Sequence, residues 1–352
     1  MPKPRNKENK PLPKRWTFYH GAYYYLVPKG MEYAWDGKTK FRLGKTLSES
    51  FKAFGARVTV NIGKIKTLNQ AFDRYTLEVI PTKAPASQVS NFQQLKVLRA
   101  VFGEMPILPF APKLVYMFVD KSASKTSAHR QIDTLSHVYT KLIEWGEIDQ
   151  HPFKGQVRLE GEKPRERLIE EWELAEFLSL TVKTPKCGDA VIQAYVRIKS
   201  ITGMDKGTML RLEPSRQFKE DGIHIQRHKT KNSSGKRTIY TWTPALRDAV
   251  QAALDARPVH ISPYLFCTKR GESYINEETG NPSGFKSLWQ RYFKRVMAET
   301  NLKEHFTERD LRAMALSAAS TLEQAQGMGS HSDPKITERI YRRKATVVMP
   351  LK

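Results

Sequence analysis

The chain has 352 residues, and 59 Lys and Arg against 36 Asp and Glu leave a formal net charge of +23. A polyanionic partner is the first expectation, nucleic acid ahead of an anionic membrane surface; the basic residues run the whole length, as in a protein that displaces counterions along an extended footprint. No apolar run is long enough to cross a bilayer, the first fifteen residues lack the apolar segment of a signal peptide, and Cys187 and Cys267 show neither a disulfide framework nor zinc spacing, so a cytoplasmic chain is expected.

Residues 1–14, rich in Pro and Lys and without periodicity, read as a disordered basic arm. An aromatic, extended pattern fills 15–60: Trp16, Phe18 and Tyr19, then Ala22 to Val27, a Pro28-Lys29-Gly30 turn, Tyr33-Ala34-Trp35, and Phe41-Arg42-Leu43. This predicts a small antiparallel sheet whose best hairpin signal is Asp36-Gly37, followed by a short helix capped by Thr46 or Ser48 and running to Phe54. Between 66 and 153 the period becomes helical. Leu68, Phe72, Tyr75 and Val79 mark one helix, ending before Pro81; Phe92, Leu95, Leu98 and Phe102 mark a second, Leu114, Val115 and Phe118 a third. Ile132 to Ile143 mark a fourth that stops at Gly146, completing a four-helix domain with Lys125 and Arg130 on its surface.

Residues 154–167, punctuated by Gly and Pro, read as a linker, and a further domain is expected over 168–344. It opens with a helix through Trp172, Phe177 and Leu178 and a second through Val191, Tyr195, Ile198 and Ile201. After the Thr202-Gly203 break comes a short helix with Met209, Leu210 and Leu212. Ile223 to Gln226 and Thr238 to Trp242 alternate as paired strands around a lysine-rich tip from Lys229 to Lys236. Thr243-Pro244 starts another helix, Tyr264-Leu265-Phe266 reads as a short strand, Phe285 to Val296 as a buried helix, and 307–341 as helical. Residues 345–352 form an apolar tail.

Four segments in this order resemble the tyrosine recombinase family, specifically phage and prophage integrases, and the resemblance covers nearly the whole chain. Thr202-Gly203-Met204 followed by Met209-Leu210-Arg211-Leu212 is similar to the family's TG-x-R segment; His228-Lys229-Thr230 to its hairpin KT; Arg309-Asp310-Leu311-Arg312 to H-D-L-R; and Gly329 to Tyr341 to L-G-H…Y. The resemblance implies a multidomain, mainly α chain with small β-sheets: an N-terminal β-rich module for arm-type DNA or protein contacts, a four-helix core-binding (SAM-like) domain and a mixed α/β catalytic domain. It also implies double-stranded DNA as partner, homodimers and homotetramers on DNA, accessory DNA-bending proteins, a nucleoid-associated location, and no metal or other cofactor.

By that resemblance Tyr341 is the nucleophile forming a 3′-phosphotyrosyl link, Lys229 the general acid, and Arg312 and His331 phosphate ligands. Lys206, Arg211, Lys231, Lys236, Lys125, Arg130, Arg342 and Arg343 are candidate DNA contacts. Thr208 stands where an acidic residue is usual and Gly329-Ser330 where Leu-Gly precedes the histidine, but two other departures weigh more. Asp205 occupies the place of the first arginine, and Arg309 that of the first histidine. A carboxylate about 5 Å from a phosphate oxygen repels it by roughly 3 kcal/mol at an effective dielectric of about 20, which predicts cleavage slowed at least several hundredfold. Lys206 next door lacks the planar fork that grips two phosphate oxygens, and Arg309 cannot shuttle a proton near neutral pH. A catalytically impaired DNA-binding protein with an architectural or regulatory role is therefore the alternative reading.

Overall fold

The computed structural model describes residues 9, 12–13, 15–27, 32–58, 65–161, 163, 165–184, 188–228 and 235–344. The Pro28–Gly30 turn, Cys187, Lys229, Lys231 and the tail after 344 lie outside these residues. The chain divides into two compact units, Met1–Glu162 with Glu277–Gly280, and Lys163–Asn276 with Asn281–Lys352.

In the first unit β1 (Trp16–Tyr19), β2 (Ala22–Leu26) and β3 (Lys40–Gly44) form an antiparallel sheet in that order. The two-residue hairpin lies at His20-Gly21, between paired Tyr19 and Ala22, where both turn residues adopt left-handed φ of 46° and 68°. Asp36-Gly37, expected to join two strands, also has positive φ, but it ends a 3-10 turn over Glu32–Trp35. The Gly37 amide donates to the Glu32 carbonyl at 2.8 Å and that of Lys38 to the Trp35 carbonyl at 3.0 Å, so the pair serves as a helix-type cap. α1 (Leu47–Val58) is capped by Thr46, whose hydroxyl accepts from the Glu49 amide, and it runs past Phe54. Trp16, Trp35, Leu43 and Phe51 make the core of this module. Leu12 packs against it and the Asn9 carboxamide oxygen accepts from the Phe18 amide, so this part of the expected disordered arm is docked.

Four helices follow: α2 (Leu68–Glu78), α3 (Pro85–Phe102), α4 (Pro112–Lys121) and α5 (Lys125–Glu144). A Thr67/Gln70 capping box starts α2, prolines at the first helical position start α3 and α4, and Gly146 with φ 71° follows α5. The expected apolar positions Leu68, Phe72, Tyr75, Leu98, Leu135 and Leu142 are all buried in one core.

The second unit begins with α6 (Glu171–Ser179), α7 (Gly188–Thr202), α8 (Lys206–Met209) and α9 (Pro214–Gln217). The antiparallel pair β4 (Gly222–Gln226) and β5 (Arg237–Thr241) comes next, then α10 (Pro244–Asp255), α11 (Ser283–Glu299), α12 (Glu308–Ala318), α13 (Leu322–Gly329) and α14 (Pro334–Ile336), which passes into a π-helical turn over Thr337–Tyr341. Phe177, Tyr195, Phe266, Tyr292, Phe293 and Phe306 are buried at its centre. The strand expected at Tyr264-Leu265-Phe266 is absent. Ser262 instead bends the backbone, its hydroxyl donating to the Gly271 carbonyl and accepting from the Tyr264 amide, while the Leu265 amide donates to the Leu212 carbonyl.

Candidate active site

Three backbone devices build the site. α7 ends at Gly203, which has φ +64° and whose missing Cβ would lie 2.4 Å from Leu316 Cδ1, so only glycine lets this turn sit against α12. Asp205 then caps α8, accepting from the Thr208 amide at 3.1 Å and from its hydroxyl at 2.8 Å. At the far side α13 ends on Ser330 in the left-handed region, φ 47° and ψ 40°, which turns the carbonyls of 329 and 330 toward the same place. An L-residue costs about 1 kcal/mol there, and the contact between the hydroxyls of Ser330 and Thr238 at 2.6 Å helps to hold it.

Arg312 on α12 reaches between these devices with only 4% of its surface exposed. It donates through Nη1 to the Gly203 carbonyl at 2.5 Å and through Nη2 to the Gly329 carbonyl at 2.6 Å and to His331 Nε2 at 3.0 Å. Because a guanidinium only donates, Nε2 is the accepting nitrogen; Nδ1 then carries the proton and donates to the Thr337 hydroxyl at 2.8 Å. The His331 ring, 6% exposed, stacks on Tyr341 at 4.9 Å between centroids and 26° between planes. Arg312 Cζ lies 5.2 Å from the Tyr341 ring centre, within cation–π range. β5 and the residue before it fasten this segment with alternate residues: Lys236 Nζ donates to the His331 carbonyl, Thr238 meets Ser330, and the Tyr240 hydroxyl donates to the Met328 carbonyl.

A second guanidinium enters from the end of β4. Arg227 Nε donates to Asp205 Oδ2 at 2.9 Å, and its Nη1 to the carbonyls of Gly329 and Ser330 at 3.3 Å each. Beneath lies Lys199, 1% exposed, which pairs with Glu308 at 2.8 Å and donates to the Met204 carbonyl, while Lys206 reaches the other oxygen of Glu308 at 3.1 Å. Burial pushes the Asp205 carboxyl up, but Arg227, Thr208 and Arg312 outweigh it and hold it at about 2. Glu308 is likewise raised by burial and brought down to about 2 by Lys199 and Lys206. Burial, then Arg312, Arg227 and Lys236, lowers His331 to about 4, so its imidazole is neutral near pH 7.

The fold has relatives among solved structures. The lambda integrase tetramer bound to a Holliday junction aligns at 16% identity over 99% of this chain and 100% of that one, with a TM-score of 0.62. A lambda integrase dimer bound to a COC' core site aligns at 14% identity over 81% and 99%, TM-score 0.63, and the Tn1549 transposon integrase with circular intermediate DNA at 16% over 80% and 96%, TM-score 0.57. The chain has the tyrosine recombinase fold. No protein-family model and no curated protein matches it.

Within this recombinase fold the expected residues are divided. Tyr341, His331 and Arg312 are in contact, Lys236 joins them through the His331 carbonyl, and Asp205 is tied in through Arg227. Arg309 is exposed on the first turn of α12, and its side chain makes no hydrogen bond or ion pair with the described residues. Lys206 is held by Glu308, and Arg211, just past α8, donates to the Gly207 carbonyl of that helix. Arg343, expected at the DNA surface, has its side chain buried against one oxygen of Asp310, itself 0% exposed, while the other oxygen closes the Thr307 capping box and meets Arg165 at 3.1 Å. Arg342, Lys125 and Arg130 are exposed. Sequence reasoning missed Arg227, Lys199, Glu308 and Thr337. Arg227 did carry a signal, since it continues the inward phase of Ile223 and Ile225 along β4.

Proposed function

We propose that the chain is a phage-type integrase, a site-specific recombinase that binds attachment-site DNA as dimers and tetramers and exchanges strands through Tyr341. The fold likeness to integrases solved on DNA supports a DNA partner, and the observation that carries the reading is the packing of Tyr341 against His331 and Arg312. In the proposed step the Tyr341 phenol gives up its proton to water as its oxygen attacks the scissile phosphorus, a P–O bond to the phenol oxygen forms and the bond to the 5′ oxygen breaks. Lys229 supplies the proton that oxygen takes, and Arg312 hydrogen-bonds the non-bridging oxygens as their charge grows. Ligation of phosphate by His331 through Nε2 requires a proton on that atom, which here accepts from Arg312.

The test is a nicked suicide duplex carrying the attachment site. Wild-type protein is expected to accumulate a covalent DNA adduct that Tyr341→Phe abolishes; equal adduct from Tyr341→Phe would overturn the assignment. The second reading, a DNA-binding protein without cleavage, is favoured by the carboxylate at Asp205, and it would be upheld by tight duplex binding with no adduct.

A further inference from the structure

Two guanidiniums meet at the Gly329 carbonyl, Arg312 from α12 and Arg227 from the end of β4, and only one belongs to the segments that carry the family resemblance. Arg312 stands where the resemblance expects it. The other arginine of the pattern is missing, replaced by Asp205, yet Arg227 brings a guanidinium to that carboxylate and to the Gly329 carbonyl that Arg312 also uses. Two like charges thus share one neutral acceptor, and a single carboxylate compensates only one of them. An anionic oxygen placed between them relieves this imbalance. Arg227 keeps 14% of its side chain exposed, and its bonds to the carbonyls are long at 3.3 Å, so exchanging them for a phosphate oxygen costs little.

Resting on the recombinase reading above, we propose that Arg227 is the second phosphate-binding guanidinium of the site, delivered by β4, and that Asp205 serves as its positioning residue. The charge expected after Gly203 is displaced across the fold rather than lost. Asp205 engages Nε, which fixes the plane of the fork, and the α8 cap fixes Asp205.

The discriminating variant is Asp205→Asn combined with Arg227→Gln, which removes both charges and leaves the net charge unchanged. Affinity for a short DNA duplex is measured by fluorescence anisotropy against salt, with thermal unfolding as the check that the protein is folded. If Arg227 meets a phosphate, the double variant binds roughly tenfold more weakly and its log–log salt slope falls by about one. Wild-type slope and affinity would show that Arg227 only neutralises Asp205 and would overturn the proposal. Arg227→Lys, which keeps the ion pair, provides a second reading: several-fold weaker binding with the slope retained is expected, because the ammonium lacks the fork, and unchanged affinity would overturn it. Failure of the wild-type chain to bind duplex would instead remove the recombinase reading itself.

Discussion

His331 is where local chemistry has the clearest consequence for the whole protein. Its pKa lies at about 4 in the folded chain, against about 6.5 for an unperturbed imidazole, because burial and the cations Arg312, Arg227 and Lys236 all oppose a further charge. Between those values the unfolded chain takes up a proton that the native state refuses. The stabilisation is therefore complete above about pH 6.5 and is lost as pH falls toward 4, by about 3 kcal/mol in all. Denaturant unfolding of wild type and of His331→Asn at pH 7.5 and pH 4.5 isolates this contribution. The variant is expected to lose about 2 to 3 kcal/mol less between the two pH values than wild type does; an identical loss would mean that the ring is not a buried neutral base. Below that window Asp205 and Glu308 take over. Both carboxyls are held at about 2, below their ordinary values, so their stabilisation is present above about pH 4.5 and lost on the way down to 2.

At the level of elements, the seam between α7 and α12 is sealed by a buried ion pair, and its energetics are asymmetric. Glu308→Gln leaves Lys199 charged and 1% exposed, and is expected to cost about 3 to 5 kcal/mol in denaturant unfolding. Adding Lys199→Met should recover most of that loss. A double variant no more stable than the single one would show that the pair does more than neutralise itself. This seam also marks where sequence legibility stops. The helices of both units were readable because each buries a stripe at a period of 3.6, as Leu68, Phe72 and Tyr75 do, and capping pairs such as Thr67 with Gln70 are local. Turn residues were readable only as turns. Asp36-Gly37 has the backbone it was expected to have, but which elements it joins depends on the Glu32–Trp35 segment folding as a 3-10 turn. Pairings such as Arg227 with Asp205 and Lys199 with Glu308 span 22 and 109 residues and obey no period, so the sequence shows the Asp205 carboxylate without the guanidinium that neutralises it.

Across the whole molecule, a net charge of +23 over 352 residues is a surplus of cations that internal ion pairs cannot neutralise, however the acids are matched. Exposed cations occur in both: Lys125 and Arg130 on α5 of the first, Arg309 on α12 and Arg342 after the π-helical turn in the second. If both units meet the same duplex, the number of neutralised phosphates is large, and each releases condensed counterions. With about six or more phosphate contacts, affinity should fall by about a thousandfold or more between 50 and 200 mM salt. A titration of the full chain on duplex DNA measures this directly, and the slope itself counts contacts. A loss of less than about tenfold over the same range would mean roughly two contacts, too few for both units to grip the backbone. Exposed-site substitutions sharpen the result, since Lys125→Ala with Arg130→Ala removes charges from the first unit alone and Arg309→Ala with Arg342→Ala from the second. A slope reduced by either pair places that unit on the DNA, and a slope reduced by only one pair assigns the grip to one unit.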